Sequence, residues 1–74
     1  MRDPTRVQNA MVHAHLAYIG SLTPLEALDL YGVWRLAARV YDLRQVGYNI
    51  ITYWETNQTG KRYARYVLLE SPTP

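Results

Sequence analysis

Seventy-four residues make one domain and leave little room for a second core. The chain has no cysteine, which excludes a disulfide framework and a cysteine-ligated metal. The net charge is only +2, but between Val33 and Tyr66 stand Arg35, Arg39, Arg44, Lys61, Arg62 and Arg65 against Asp42 and Glu55 alone. Positive charge therefore gathers in the second half, as a nucleic-acid contact requires and as an ordinary solvated surface also allows.

The first helix is expected to open with Asp3 or Thr5 as its cap, with Pro4 in its first turn, and to run to Ile19 before Gly20. Val12, Leu16 and Ile19 form one apolar row, with Val7, Met11, Ala14 and Tyr18 beside it. A stripe this wide predicts a helix covered on more than one side. His13 and His15 stand two residues apart, about 200° around a helix, so they cannot share a metal ion. Ser21 and Leu22 read as a link.

A second, well-marked helix follows from Pro24 to Tyr31. Thr23 supplies an N-cap oxygen, proline suits the first helical position, and Glu26 completes a Thr-x-x-Glu capping box. Leu25, Ala27 and Leu28 are expected on its apolar side, with Glu26 and Asp29 in water. Gly32 then turns the chain sharply, because glycine enters the left-handed region at little steric cost. The third helix is expected from Val33 to Val46, ended by Gly47, with Leu36, Val40 and Leu43 facing inward. That phase points Trp34, Arg35, Ala38, Arg39 and Asp42 outward or sideways.

After Gly47 the period changes from helical to alternating. Tyr48 to Glu55 and Tyr63 to Leu69 are rich in β-branched and aromatic residues, and Thr56 to Gly60 is a turn-forming run between them. Ile50, Ala64, Tyr66 and Leu68 are expected to pack on the helices. Ile51, Tyr53, Tyr63, Arg65 and Val67 fall on the other face of the hairpin. Ser71 to Pro74 carries too little apolar surface to pack and is expected to fray, leaving residues 1–70 as a single domain. Three helices followed by a two-stranded β-hairpin wing with a basic tip is the order of a winged helix-turn-helix, an α+β fold.

The runs GSLTPLEALDLYG, WRLAARVYDLRQVGYNIIT and GKRYARYVL make the chain resemble the small winged helix-turn-helix proteins of bacteriophages and prophages. RLAARVYDLR is the most specific part of the likeness, which spans about Gly20 to Leu68. The resemblance implies a DNA-binding module working in the cytoplasm of a bacterial host cell. MRDPTRVQNA lacks the apolar run of a signal peptide, and no segment is long enough to cross a bilayer, in keeping with that location.

In such a fold the helix after the turn lies in the major groove, and its first and outward residues reach base edges. The expected DNA-binding residues are Trp34, Arg35, Ala38, Arg39 and Arg44 on that helix, with Lys61 and Arg62 on the wing. Arg35 and Arg39 suit bidentate contact with guanine, although Arg39 has an alternative partner in Asp42, three residues on. Ala38 leaves room for a thymine methyl. Arg44, Lys61 and Arg62 suit phosphate, while Lys61 and Arg62 also serve as guards of an exposed strand edge.

A protein interface is the competing use of Trp34. Ile51, Tyr53, Tyr63 and Val67 likewise form an apolar surface suited to a homodimer or a partner protein. The alternative to a DNA-reading regulator is thus a protein-binding module, such as a phage-encoded inhibitor of a host or defence complex. No catalytic residues, metal or cofactor are expected: the serines are Ser21 and Ser71, and no histidine stands in a nucleophile pattern.

Overall fold

A computed structural model of the chain describes residues 4–69. The elements follow in the order α1 (Pro4–Ile19), β1 (Ser21–Leu22), α2 (Pro24–Tyr31), α3 (Leu36–Gln45), β2 (Asn49–Thr56) and β3 (Arg62–Leu69). The three strands form one antiparallel sheet in the order β1-β3-β2. The two-residue strand β1 is an addition to the two-stranded hairpin expected from sequence. Ser21 pairs with Val67 and Leu22 with Tyr66, a stretch too short to show any alternation.

The core joins Val12 and Leu16 of α1 to Leu22, Ala27, Val33, Leu36, Val40 and Leu43, and closes on Ile50, Ala64 and Tyr66 of the hairpin. Leu36, Val40 and Leu43 lie inward as their spacing requires. α1 buries a narrower strip than expected: Val12 and Leu16 are covered, whereas Tyr18 is 89% and Ile19 69% exposed. Sixteen helical residues span about 24 Å, against about 12 Å and 15 Å for α2 and α3, so the last turn of α1 outruns the layer it packs on. On α2, Leu25 is exposed rather than buried. It sits two residues from Ala27, about 200° around the helix, and the buried face continues instead to Tyr31. Tyr31 Oη meets Nδ1 of His15 at 2.7 Å, and the His13 ring lies 4.3 Å from that of Tyr48. Each histidine thus ties α1 to a different neighbour.

The capping box forms in full. Glu26 N–H donates to Thr23 Oγ1 at 3.2 Å, and Thr23 N–H donates to Glu26 Oε1 at 2.9 Å. Gly32 adopts φ +67° and closes α2, after which Val33 N–H reaches back to the Ala27 carbonyl at 3.1 Å. This bond draws Val33 into the core, where it is buried. The helix expected from Val33 therefore starts three residues later, at Leu36, and Val33 to Arg35 belong to the turn. Nothing in that turn offers a side-chain cap. Of the expected caps of α1, Thr5 lies inside the helix, and Asp3 is outside the described residues, as is the tail expected to fray.

The hairpin register pairs Asn49 with Leu69 and runs unbroken to Thr56 with Arg62. Its loop is laced by Asn57, whose Oδ1 accepts from Thr59 N–H, Thr59 Oγ1 and Lys61 N–H at 2.7–3.0 Å. Asn57 N–H also donates to the Lys61 carbonyl at 2.8 Å. Antiparallel pairs alternate between bonded and non-bonded. Counting from that bond, Ile50, Thr52, Trp54 and Thr56 turn their N–H and C=O groups away from β3, toward the open edge of the sheet.

Candidate nucleic-acid interface

The turn between α2 and α3 presents Trp34, 81% exposed, and Arg35, also exposed. Both are held from behind: Val33 is buried before them and Leu36 after them. Arg35 is the N-cap of α3, with its carbonyl accepting from Ala38 and Arg39 N–H at 3.1 and 3.2 Å. Its guanidinium has no partner among the described residues. A shallow depression beside it is lined by Pro24, Trp34, Arg35, Leu36, Ala37 and Ala38. The exposed flank of α3 continues through Ala37, Tyr41, Arg44 and Gln45. Tyr41 and Ala37 were not singled out by sequence, although their 100° steps from Leu36 and Val40 put them there.

Arg39 does not lie on that flank. Its Nη1 faces Thr5 Oγ1 and Gln8 Oε1, both at 3.4 Å, and its Nη2 pairs with Asp42 at 3.2 Å. Its side chain is only 16% exposed. Asn9 Nδ2 donates to the same Asp42 carboxylate at 3.3 Å. Arg39 therefore takes the alternative partner expected three residues on and turns toward α1, a correction to the expectation that it reaches base edges with Arg35. Arg35 precedes the helix, and Arg39, one position before Val40, sits where α1 crosses α3.

Arg44 is exposed but engaged. Its Nε donates to the Ile50 carbonyl at 2.8 Å and its Nη2 to Thr52 Oγ1 at 3.1 Å. It thereby covers the first open carbonyl of the β2 edge and ties the end of α3 to the hairpin. Lys61 and Arg62 are exposed at the hairpin tip. The Arg62 guanidinium stands 5.2 Å from the ring centroid of Trp54, itself 62% exposed. Alternation alone puts Trp54 on the buried face with Ile50, so no local signal in the sequence marks it as exposed.

The opposite face of the hairpin is less apolar than expected. Tyr53 is 53% exposed, while Ile51, Tyr63 and Val67 are half-buried. Among them sits an ionic hub: Arg65 Nε donates to Glu55 at 2.9 Å, and its Nη1 reaches Ser21 Oγ at 3.1 Å and Glu26 at 3.7 Å. One guanidinium thus joins β3 to β2, β1 and α2. The hydrogen bond from Arg65 holds the Glu55 carboxyl below its ordinary range, and the Glu55 carboxylate holds Arg65 above its own.

A winged helix-turn-helix domain is the family whose model matches residues 7–71. The chain belongs to the winged helix-turn-helix family. Neither a curated protein nor a solved structure matches it. In this winged helix-turn-helix, α2 and α3 with their turn form the helix-turn-helix, and β2 and β3 form the wing. Such a domain suggests DNA as the partner.

The basic residues of the winged helix-turn-helix divide by what already holds them. Arg39 and Arg65 are committed to contacts within the domain, and Arg44 is anchored through Nε and Nη2, whereas Arg35 at the head of α3 and Lys61 on the wing point to solvent without a partner among the described residues. No helix among those residues is long and apolar enough to cross a membrane, and no group of three or more metal-binding side chains gathers among them.

Proposed function

We propose that this protein binds duplex DNA as a transcriptional regulator of phage or prophage genes. The head of α3 enters the major groove, with Arg35 as its base-reading side chain and Trp34 beside it. Ala38 faces the bases from the first turn of α3. Lys61 and Arg62 hold phosphates from the wing, and Arg39 serves as the brace that fixes the angle of α3 on α1. The observation that carries this reading is Arg35: an exposed guanidinium, without a partner among the described residues, at the N-terminal end of the second helix of a helix-turn-helix.

The test is a binding assay against the duplex upstream of the protein's own operon, with unrelated duplex as competitor. Specific, salt-sensitive binding that weakens in Arg35→Ala supports the reading. Equal binding to all sequences overturns its regulatory part.

The exposed apolar residues of the helix-turn-helix favour a second reading. Leu25, Leu30, Trp34 and Tyr41 are each more than half exposed, a composition suited to a protein partner. On that reading the protein is a phage-encoded inhibitor of a host or defence complex. Trp34→Ala would then abolish capture of the partner while duplex binding was absent from the parent.

A homodimer is part of the first reading. It is supported by Tyr53 with Ile51 and Val67 on the outer face of the wing, and it would set half-sites about 34–36 Å apart or a multiple of that. Sedimentation with and without DNA tests it, and monomer alone at high micromolar concentration would remove it.

A further inference from the structure

Trp54 has a place in the fold that its exposure leaves unexplained. It stands on the sheet face that the helices cover, since Ile50, Thr52, Trp54 and Thr56 alternate on one side of β2. Ile50 is 4% exposed at the covered end of that row, while Trp54 is 62% exposed. Its cross-strand neighbour is Ala64, too small to brace an indole. Arg62, diagonal to it, lies over the ring at 5.2 Å. Arg44 lies on the other side, anchored to Thr52 two residues before Trp54. Nη1 of Arg44 makes no hydrogen bond among the described residues, so that guanidinium retains donors. Along this face of the hairpin, Arg44 held at Thr52, then Trp54, then Arg62 opposite Thr56 therefore follow in order.

We propose that Arg44, Trp54 and Arg62 form one clamp for the backbone of duplex DNA, with the indole on a deoxyribose and the two guanidiniums on the phosphates flanking it. The clamp rests on the DNA-binding reading above and adds to it the chemistry of the wing contact. A backbone repeats phosphate, sugar, phosphate, which the cation, plate, cation order complements. One side of the indole already carries Arg62. The sugar takes the open side, where an apolar surface gains by leaving water. The cation–π contact with Arg62 also draws that guanidinium to the ring before DNA arrives, so less freedom is lost on binding.

The experiment uses the full chain labelled with 5-fluorotryptophan, whose two ¹⁹F lines are assigned with Trp34→Phe and Trp54→Phe. The line of Trp54 is expected to shift on adding duplex DNA. In parallel, fluorescence anisotropy across a salt series measures the affinity of Trp54→Ala and Arg62→Ala, with circular dichroism checking the fold. Trp54→Ala is expected to weaken duplex binding about tenfold, the loss of a partly covered aromatic plate, with the salt slope unchanged. Arg62→Ala is expected to lower that slope by about one. Tyr18→Ala, exposed on α1, is the control expected to bind as the parent does.

A parent that binds duplex strongly while Trp54→Ala binds equally well and its line stays still overturns the clamp and leaves DNA binding standing. A parent with no salt-dependent duplex binding overturns both. Tighter binding and a larger Trp54 shift with a single strand of the same length means that the indole stacks on bases, which also overturns the sugar contact.

Discussion

Replacing Arg39 separates a brace from a reading head. Arg39→Ala removes two largely buried methylenes, at about 0.8 kcal/mol each, and an i,i+3 ion pair at 3.2 Å, which contributes about 0.3–0.5 kcal/mol. The two contacts at 3.4 Å are at the long limit of hydrogen bonding and add little. The expected loss is about 2 kcal/mol, a large share of the roughly 4–11 kcal/mol available to a domain of this size. It should lower Tm by about 8–16 °C. Arg39→Met keeps the stem in place and should lose less than half as much. Urea titration at pH 7 measures both variants, and DNA binding is then compared at a temperature where each is folded. If Arg39 is a brace, the two variants rank by stability, and the sequence preference of the folded protein is unchanged. A fully stable Arg39→Ala that lost preference at one base pair would refute this and return Arg39 to the major groove.

Three other outcomes follow from the same geometry. Gly32→Ala should cost about 1 kcal/mol through the left-handed φ of +67° alone, since a Cβ there meets nothing within 4 Å; a stability equal to the parent's in thermal melts would contradict it. Leu36→Ala should cost about 2–5 kcal/mol and leave much of the chain unfolded at 37 °C, read by circular dichroism. The Glu55 carboxyl is held below its ordinary value in the folded state, so the unfolded chain binds the proton more readily. The Glu55–Arg65 contribution is therefore complete above the unfolded value of about 4.3 and is lost as pH falls through the lower folded value. Urea midpoints should accordingly fall more steeply with acid in the parent than in Glu55→Gln, and identical slopes would count against the hub.

The elements with local chemical signals were legible in the sequence. Thr23, Pro24, Glu26 and Gly32 each act through their immediate neighbours, and α2 begins and ends where they require. The same holds for the Leu36, Val40 and Leu43 row and for the hairpin, whose loop is organised by Asn57 and Gly60. What was not legible depends on distant partners. The late start of α3 follows from Val33 sinking into a core shared with α1 and the hairpin. The role of Arg39 is set by Thr5 and Gln8, more than thirty residues earlier. Ser21 and Leu22 become a strand only because Tyr66 and Val67 lie opposite them. Trp54 shows the limit of alternation: a position can have the phase of the core and still project beyond the helices that cover it.

Salt dependence measured across a library of duplexes separates base reading by Arg35 from phosphate binding by Lys61. Binding constants are taken for the parent, Arg35→Ala and Lys61→Ala between about 50 and 200 mM salt, a range over which phosphate contacts change affinity strongly. Arg35→Ala should lose about 1–3 kcal/mol on the preferred site and relax preference at one position. Lys61→Ala should instead weaken every duplex alike and lower the salt slope by about one. An Arg35→Ala protein that is folded and binds the preferred duplex as the parent does would contradict base reading by Arg35.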